Sequence, residues 1–170
     1  MNKQIIKGIL FFCSLLILSR LIPHPPNFTP LIAGAIFLPF LIKDKWLIIL
    51  LPIFCLLISD FFLGFHTLMI WTYSAFLIIG IIAYSSSVCN LGLIIGQSLF
   101  SSTLFFLLTN FGVWLGSSIY TQDADGLLLC YFLALPFYSS TLLSTLIFSS
   151  LFYVSYNFII QKRLNIFKNV

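Results

Sequence analysis

Residues 43–66 read KDKWLIILLPIFCLLISDFFLGFH, an apolar run closed by Lys43-Asp44-Lys45 on one side and by Gly64-Phe65-His66 on the other. It carries one acidic residue, Asp60, and one helix-bending proline, Pro52. A segment of this length and polarity is what crosses the roughly 30 Å hydrocarbon core of a bilayer as a helix. The rest of the chain is built the same way. Of 170 residues, 61% are hydrophobic and 7% charged, with no glutamate. Soluble domains are about 25% charged, so this composition cannot supply a water-facing surface. The net charge of +4 is spread too thinly for a basic patch, which excludes a nucleic-acid partner. The expected fold class is all-α: a polytopic membrane protein of six transmembrane helices in one bundle.

Proline, glycine and charge divide the chain into spans near 4–22, 29–42, 46–63, 67–84, 91–115 and 138–160. The first follows a basic flank, lacks a small-x-small cleavage site, and runs into Arg20; it reads as a retained helix. The segment 127–160 is too long for one straight crossing, and Pro136 is the expected break, leaving a short outer helix before the last span. Placing Lys3, Lys7, Lys43, Lys45, Lys162, Arg163 and Lys168 on one side leaves Arg20 alone on the other. Basic residues favour the cytoplasmic side, so both termini are expected there.

With that orientation, the outer ends of the helices gather Arg20, His24, Asn27, Thr29, Asp60, His66, Asn110, Trp114, Tyr120, Asp123 and Asp125. Ionisable groups near a membrane core are costly and normally pair or serve a solute. Arg20 and Asp60 are expected to neutralise each other between the first and third helices, to form part of an outward-facing pocket, or both, since empty binding sites often pair their own charges. The candidate substrate-binding set is Arg20, His24, Asn27, Asp60, His66, Asn110, Trp114 and Tyr120. In it Arg20 meets an anionic or carbonyl oxygen and Asp60 accepts from a ring N–H or amine.

Other signals are structural. Cys13, Cys55, Cys89 and Cys130 have no metal-ligand spacing, and no metal or cofactor is expected. Gly92 and Gly96 form a small-xxx-small pair suited to close helix packing, and Gly112 and Gly116 repeat the spacing. Asp123-Ala124-Asp125-Gly126 lacks the later ligands of a calcium loop and reads as a solvated turn. Motifs of zinc proteases, nucleotide-binding loops and serine hydrolases are absent, so no enzyme is expected.

The segment Arg20-Leu21-Ile22-Pro23-His24-Pro25-Pro26-Asn27-Phe28-Thr29-Pro30 resembles the signature of the small bacterial membrane proteins grouped as DUF6580. Ser59-Asp60, Leu63-Gly64 with His66, Ser101-Ser102, Phe105-Phe106, Thr109 to Trp114, Tyr120, Gly126-Leu127 and Pro136-Phe137 extend the resemblance along nearly the whole chain. The family is similar in plan to the S components of energy-coupling factor (ECF) transporters, six-helix proteins that capture vitamins or metals from outside. The resemblance implies a multi-pass protein of the bacterial inner membrane that takes up a small water-soluble nutrient. Its partners would be that solute, membrane lipids and an ECF energising module of coupling subunit and ATPases. The first helix carries Gly8, Phe12, Cys13 and Ser14 but not the AxxxA pattern of many S components, so solitary uptake stays open. The competing class is a structural or assembly subunit of a membrane complex, with no cavity among its outer polar residues.

Overall fold

Long apolar runs leave the backbone few partners but itself, and the helix satisfies every internal N–H and C=O within one segment. The computed structural model accordingly shows, among the described residues, six helices: α1 (Lys3–Leu21), α2 (Leu31–Leu41), α3 (Lys45–Leu63), α4 (Met69–Tyr84), α5 (Leu91–Gly116) and α6 (Ala124–Lys168). It describes residues 3–85 and 89–168, except the side chains of residues 4, 5 and 160–168. Residues 86–88 of the polar connection, and the side chains of Lys162, Arg163 and Lys168 in the charge count, lie outside the described residues.

Helix ends follow local chemistry. Asp44 caps α3 by accepting from the Leu47 N–H at 2.9 Å, and Asn90 caps α5 through the Gly92 N–H at 2.8 Å. Gly64 closes α3 at φ 99°, a backbone angle that side-chain-bearing residues resist. Among the described residues three helices are long and apolar enough to cross a membrane, α3, α5 and α6 over Ala124–Ile159.

Two expectations are corrected. The segment expected to span at 29–42 is the 11-residue α2, which rises only about 16 Å. It is the centre of the bundle: every residue from Leu31 to Leu38 is buried, packed among α3, α4, α5 and α6. Gly34 lets α1 close over it, since a Cβ there would lie 2.8 Å from Leu16 Cδ1. The second correction is at Pro136, where α6 continues unbroken. A proline removes one donor and bends a helix without obliging it to stop.

The apolar core joins Leu16 of α1, Ile36 of α2, Cys55 and Leu56 of α3, and Phe76 and Ile79 of α4, with Cys13 packed in the same cluster. Gly80 brings α4 against α3, because a Cβ at Gly80 would meet the Ile49 backbone at 3.0 Å. The close packing expected at Gly92 and Gly96 is not found among the described residues: a Cβ at Gly96 would meet nothing within 4 Å, and one at Gly92 only Asn90. Gly112 takes that role instead, seated on the Trp71 ring. Small hydroxyls recur on α5 and α6, with Ser98, Ser101 and Ser102 on the first and Thr141, Ser144, Thr145 and Ser149 on the second, all buried. Ser98 Oγ donates to Ser149 Oγ at 3.0 Å; Thr141, Ser144 and Thr145 return their protons to carbonyls of their own helix.

Candidate functional site

The alternating helices bring the C-terminal ends of α1, α3 and α5 and the N-terminal ends of α2 and α4 to one end of the bundle. Leu31 and Ile32, at the start of α2, border an open space there. A cavity of about 290 Å³ occupies this place. Its polar wall is formed by Arg20, Asn27, Thr29, His66, Thr72, Thr109 and Asn110, with Thr141 and Ser144 from α6. Phe76, Phe105 and Phe137 make its apolar wall, with Leu31, Ile32, Leu56, Leu68 and Val113. Phe76 and Phe105 meet edge to face at 5.8 Å.

Arg20 and Asp60 are paired. Nη1 of Arg20 lies 2.6 Å from Oδ1 of Asp60, donates to Ser59 Oγ, and reaches the Leu56 carbonyl at 3.3 Å. The Tyr73 hydroxyl donates to the other Asp60 oxygen at 2.9 Å. Asp60 is 1% exposed and Arg20 18%, so the carboxylate lies behind the guanidinium. It does not line the cavity, and both its oxygens are engaged inside the protein. Asp60, expected as an acceptor for a solute, is thus placed behind the wall. It holds Arg20 in place instead.

The connection from α1 to α2 is fastened to α6. Ser140 Oγ donates to the Pro26 carbonyl at 2.7 Å, Ser144 Oγ to the Asn27 carbonyl at 3.4 Å, and Phe28 packs edge-on to Phe148 at 5.9 Å. Asn27 sits at φ 60°, a left-handed conformation that asparagine tolerates better than most residues. The turn carries Asn27 and Thr29 onto the cavity wall and leaves His24 exposed and away from it.

Of the eight expected site residues, the cavity wall unites Arg20, Asn27, His66 and Asn110. Asn110 is half-buried, and its Nδ2 donates to the Phe106 carbonyl at 2.8 Å. His24, Asp60, Trp114 and Tyr120 do not line it. Trp114 organises the loop between α5 and α6: its indole N–H donates to the Thr121 carbonyl at 2.9 Å, and its carbonyl accepts from Gln122 Nε2 at 2.8 Å. Asp123 ends that loop by capping α6. The Gly126 N–H and the Thr121 hydroxyl both donate to its Oδ1, at 2.8 Å and 2.7 Å, and these bonds hold its carboxyl below the usual carboxylate range. Sequence reasoning missed Thr72, Thr109, Thr141, Ser144 and the three phenylalanines as wall residues. Position offered one hint, since Thr109 adjoins Asn110 and Thr141 and Ser144 share a helix face. Among the described residues no three His, Cys, Asp or Glu side chains gather as metal ligands.

These features define a class: an all-helical, membrane-associated protein with a small cavity of mixed polar and apolar walls at one end of its bundle. Over residues 1–167 the chain matches the family described as "Family of unknown function (DUF6580)" and belongs to it. Comparison with curated proteins and with solved structures gives no match, and the family match carries no link to ECF components.

Proposed function

We propose that this protein is a multi-pass membrane protein that captures a small water-soluble solute from the outer side for uptake. The observation that carries the reading is the 290 Å³ cavity lined by Arg20, Asn27, Thr29, His66, Thr109 and Asn110. Its size is at the lower limit of small-ligand sites, roughly 300–1,000 Å³. Four separate stretches of the chain supply those six side chains, as in a site formed by folding. An assembly subunit needs no such space. The cavity lies at the end of the bundle away from Lys43 and Lys45, and the positive-inside tendency supports an outward-facing mouth in the bacterial inner membrane. In this reading the six helices form one bundle like that of an ECF S component, and an ECF energising module is a partner it would serve.

The test is to purify the intact protein from membranes, beside the variant Thr109→Trp, which fills the cavity. Mass spectrometry of extracted small molecules should find a compound that accompanies the wild type and is missing from the folded variant. The same compounds in both, or none in either, would overturn capture. Reporter fusions at the two termini should both report the cytoplasm.

A further inference from the structure

Resting on the capture reading, the charge layout of the cavity goes further and names a class of solute. We infer that the cavity takes a small organic monocarboxylate, its carboxylate on Arg20 and its apolar body against Phe76, Phe105 and Phe137. Every protein contact of the Arg20 guanidinium uses Nη1, toward Asp60, Ser59 and Leu56. Among the described residues Nε and Nη2 have no protein partner, on a side chain that lines the cavity. Those two nitrogens form one edge of the guanidinium fork, the arrangement that takes both oxygens of a carboxylate in parallel hydrogen bonds.

The wall offers nothing of opposite sign. It contains no aspartate, and Asp60 is buried behind Arg20 with its oxygens occupied. An ammonium group would therefore meet Arg20 without a counter-charge. The backbone adds to the asymmetry. Leu31 and Ile32 at the start of α2, and Leu68 and Thr72 at the start of α4, lie on the wall, and neither helix has a side-chain cap. The helices that begin at the far end of the bundle, α3 and α5, are capped by Asp44 and Asn90. The positive ends of two helix dipoles thus reinforce the guanidinium. One free edge suits a monoanion, and the phenylalanine walls suit an apolar remainder better than a second charge.

The experiment uses the purified full-length protein and four probes: phenylacetate, phenylacetamide, phenethylamine and inorganic phosphate. Saturable binding is read by thermal shift and calorimetry. Phenylacetate should bind, with the amide and the amine weaker by roughly tenfold to a hundredfold, the worth of a charge-assisted hydrogen bond. The double variant Arg20→Gln with Asp60→Asn keeps the shape of the pair and should lose that preference. Arg20→Lys keeps the charge without the fork and should weaken phenylacetate by about tenfold. Thr103→Ala, which bonds Tyr138 outside the cavity wall, should leave binding unchanged. Equal or tighter binding of the amide, the amine or phosphate overturns the carboxylate assignment and leaves solute capture standing; so does the absence of phenylacetate binding. Capture itself fails only on the separate comparison of co-purifying molecules with Thr109→Trp.

Discussion

Arg20 and Asp60 invite a double-mutant cycle, because their exposures are unequal. At 2.6 Å the gross attraction of two unit charges is about 6 kcal/mol at an effective dielectric constant near 20. Desolvation offsets much of this, and replacing both charges by neutral isosteres is often close to neutral. Removing one partner is different. In Arg20→Gln the Asp60 carboxylate, 1% exposed, keeps only the Tyr73 hydroxyl, and the expected loss is about 3–5 kcal/mol. In Asp60→Asn the arginine still faces the cavity and its water, so the loss should be smaller, about 1–2 kcal/mol. The double variant should come within about 2 kcal/mol of wild type, a coupling energy of about 4 kcal/mol that exceeds the usual range of roughly 0.5–3 kcal/mol. Reversible unfolding in mixed micelles, followed by circular dichroism, measures all four corners. Additive losses, or a larger loss for Asp60→Asn than for Arg20→Gln, would refute the view that the carboxylate is the hidden partner.

Other perturbations have equally definite outcomes. Gly112→Leu should lower stability by about 1–3 kcal/mol through overpacking, since even a Cβ there would reach the Trp71 ring; Gly116→Ala, with nothing within 4 Å, should be tolerated in the same melt. Gly96→Leu should leave the fold of the isolated chain unchanged by the same criterion. The α5–α6 loop should respond to acid. Asp123 is held below its ordinary value of 3.8 by Gly126 and Thr121, so its stabilisation is present above that value and lost as pH falls through the depressed one. Trp114 fluorescence, which reports the bond to Thr121, should change in that acid range, and Thr121→Val should move the midpoint upward. A midpoint unmoved by that substitution would deny the hydroxyl its part.

Much of the helix pattern was legible because its stops are local. Pro23 to Pro30, Lys43 to Lys45 and Gly64 punctuate the chain by backbone chemistry that needs no tertiary knowledge. The position of α2 was not legible. Its residues are apolar all round, and lipid-facing and interior-facing leucines read alike in a sequence. Pro136 misled because a proline states that a donor is missing, not that the helix must end. Within the site, Arg20 and Asp60 stood out through their cost in an apolar run, and their geometry supplies a partner for each. Trp114 and Tyr120 were drawn into the candidate set by position near the same bundle end, but a loop with its own hydrogen bonds claims Trp114. The threonines and serines of the wall went unseen because hydroxyls are common in apolar helices, where they bond the preceding turn.

The brevity of α2 reaches into biogenesis. A helix of 11 residues covers about half the thickness that an independently inserted segment must span. It has no stable home in lipid before α3, α4, α5 and α6 stand around it, so its burial belongs to the last stage of assembly. Ribosome-bound intermediates that end before α6 should accordingly leave Ala33 and Ala35, replaced one at a time by cysteine, open to water-borne thiol reagents, and the completed chain should shield them.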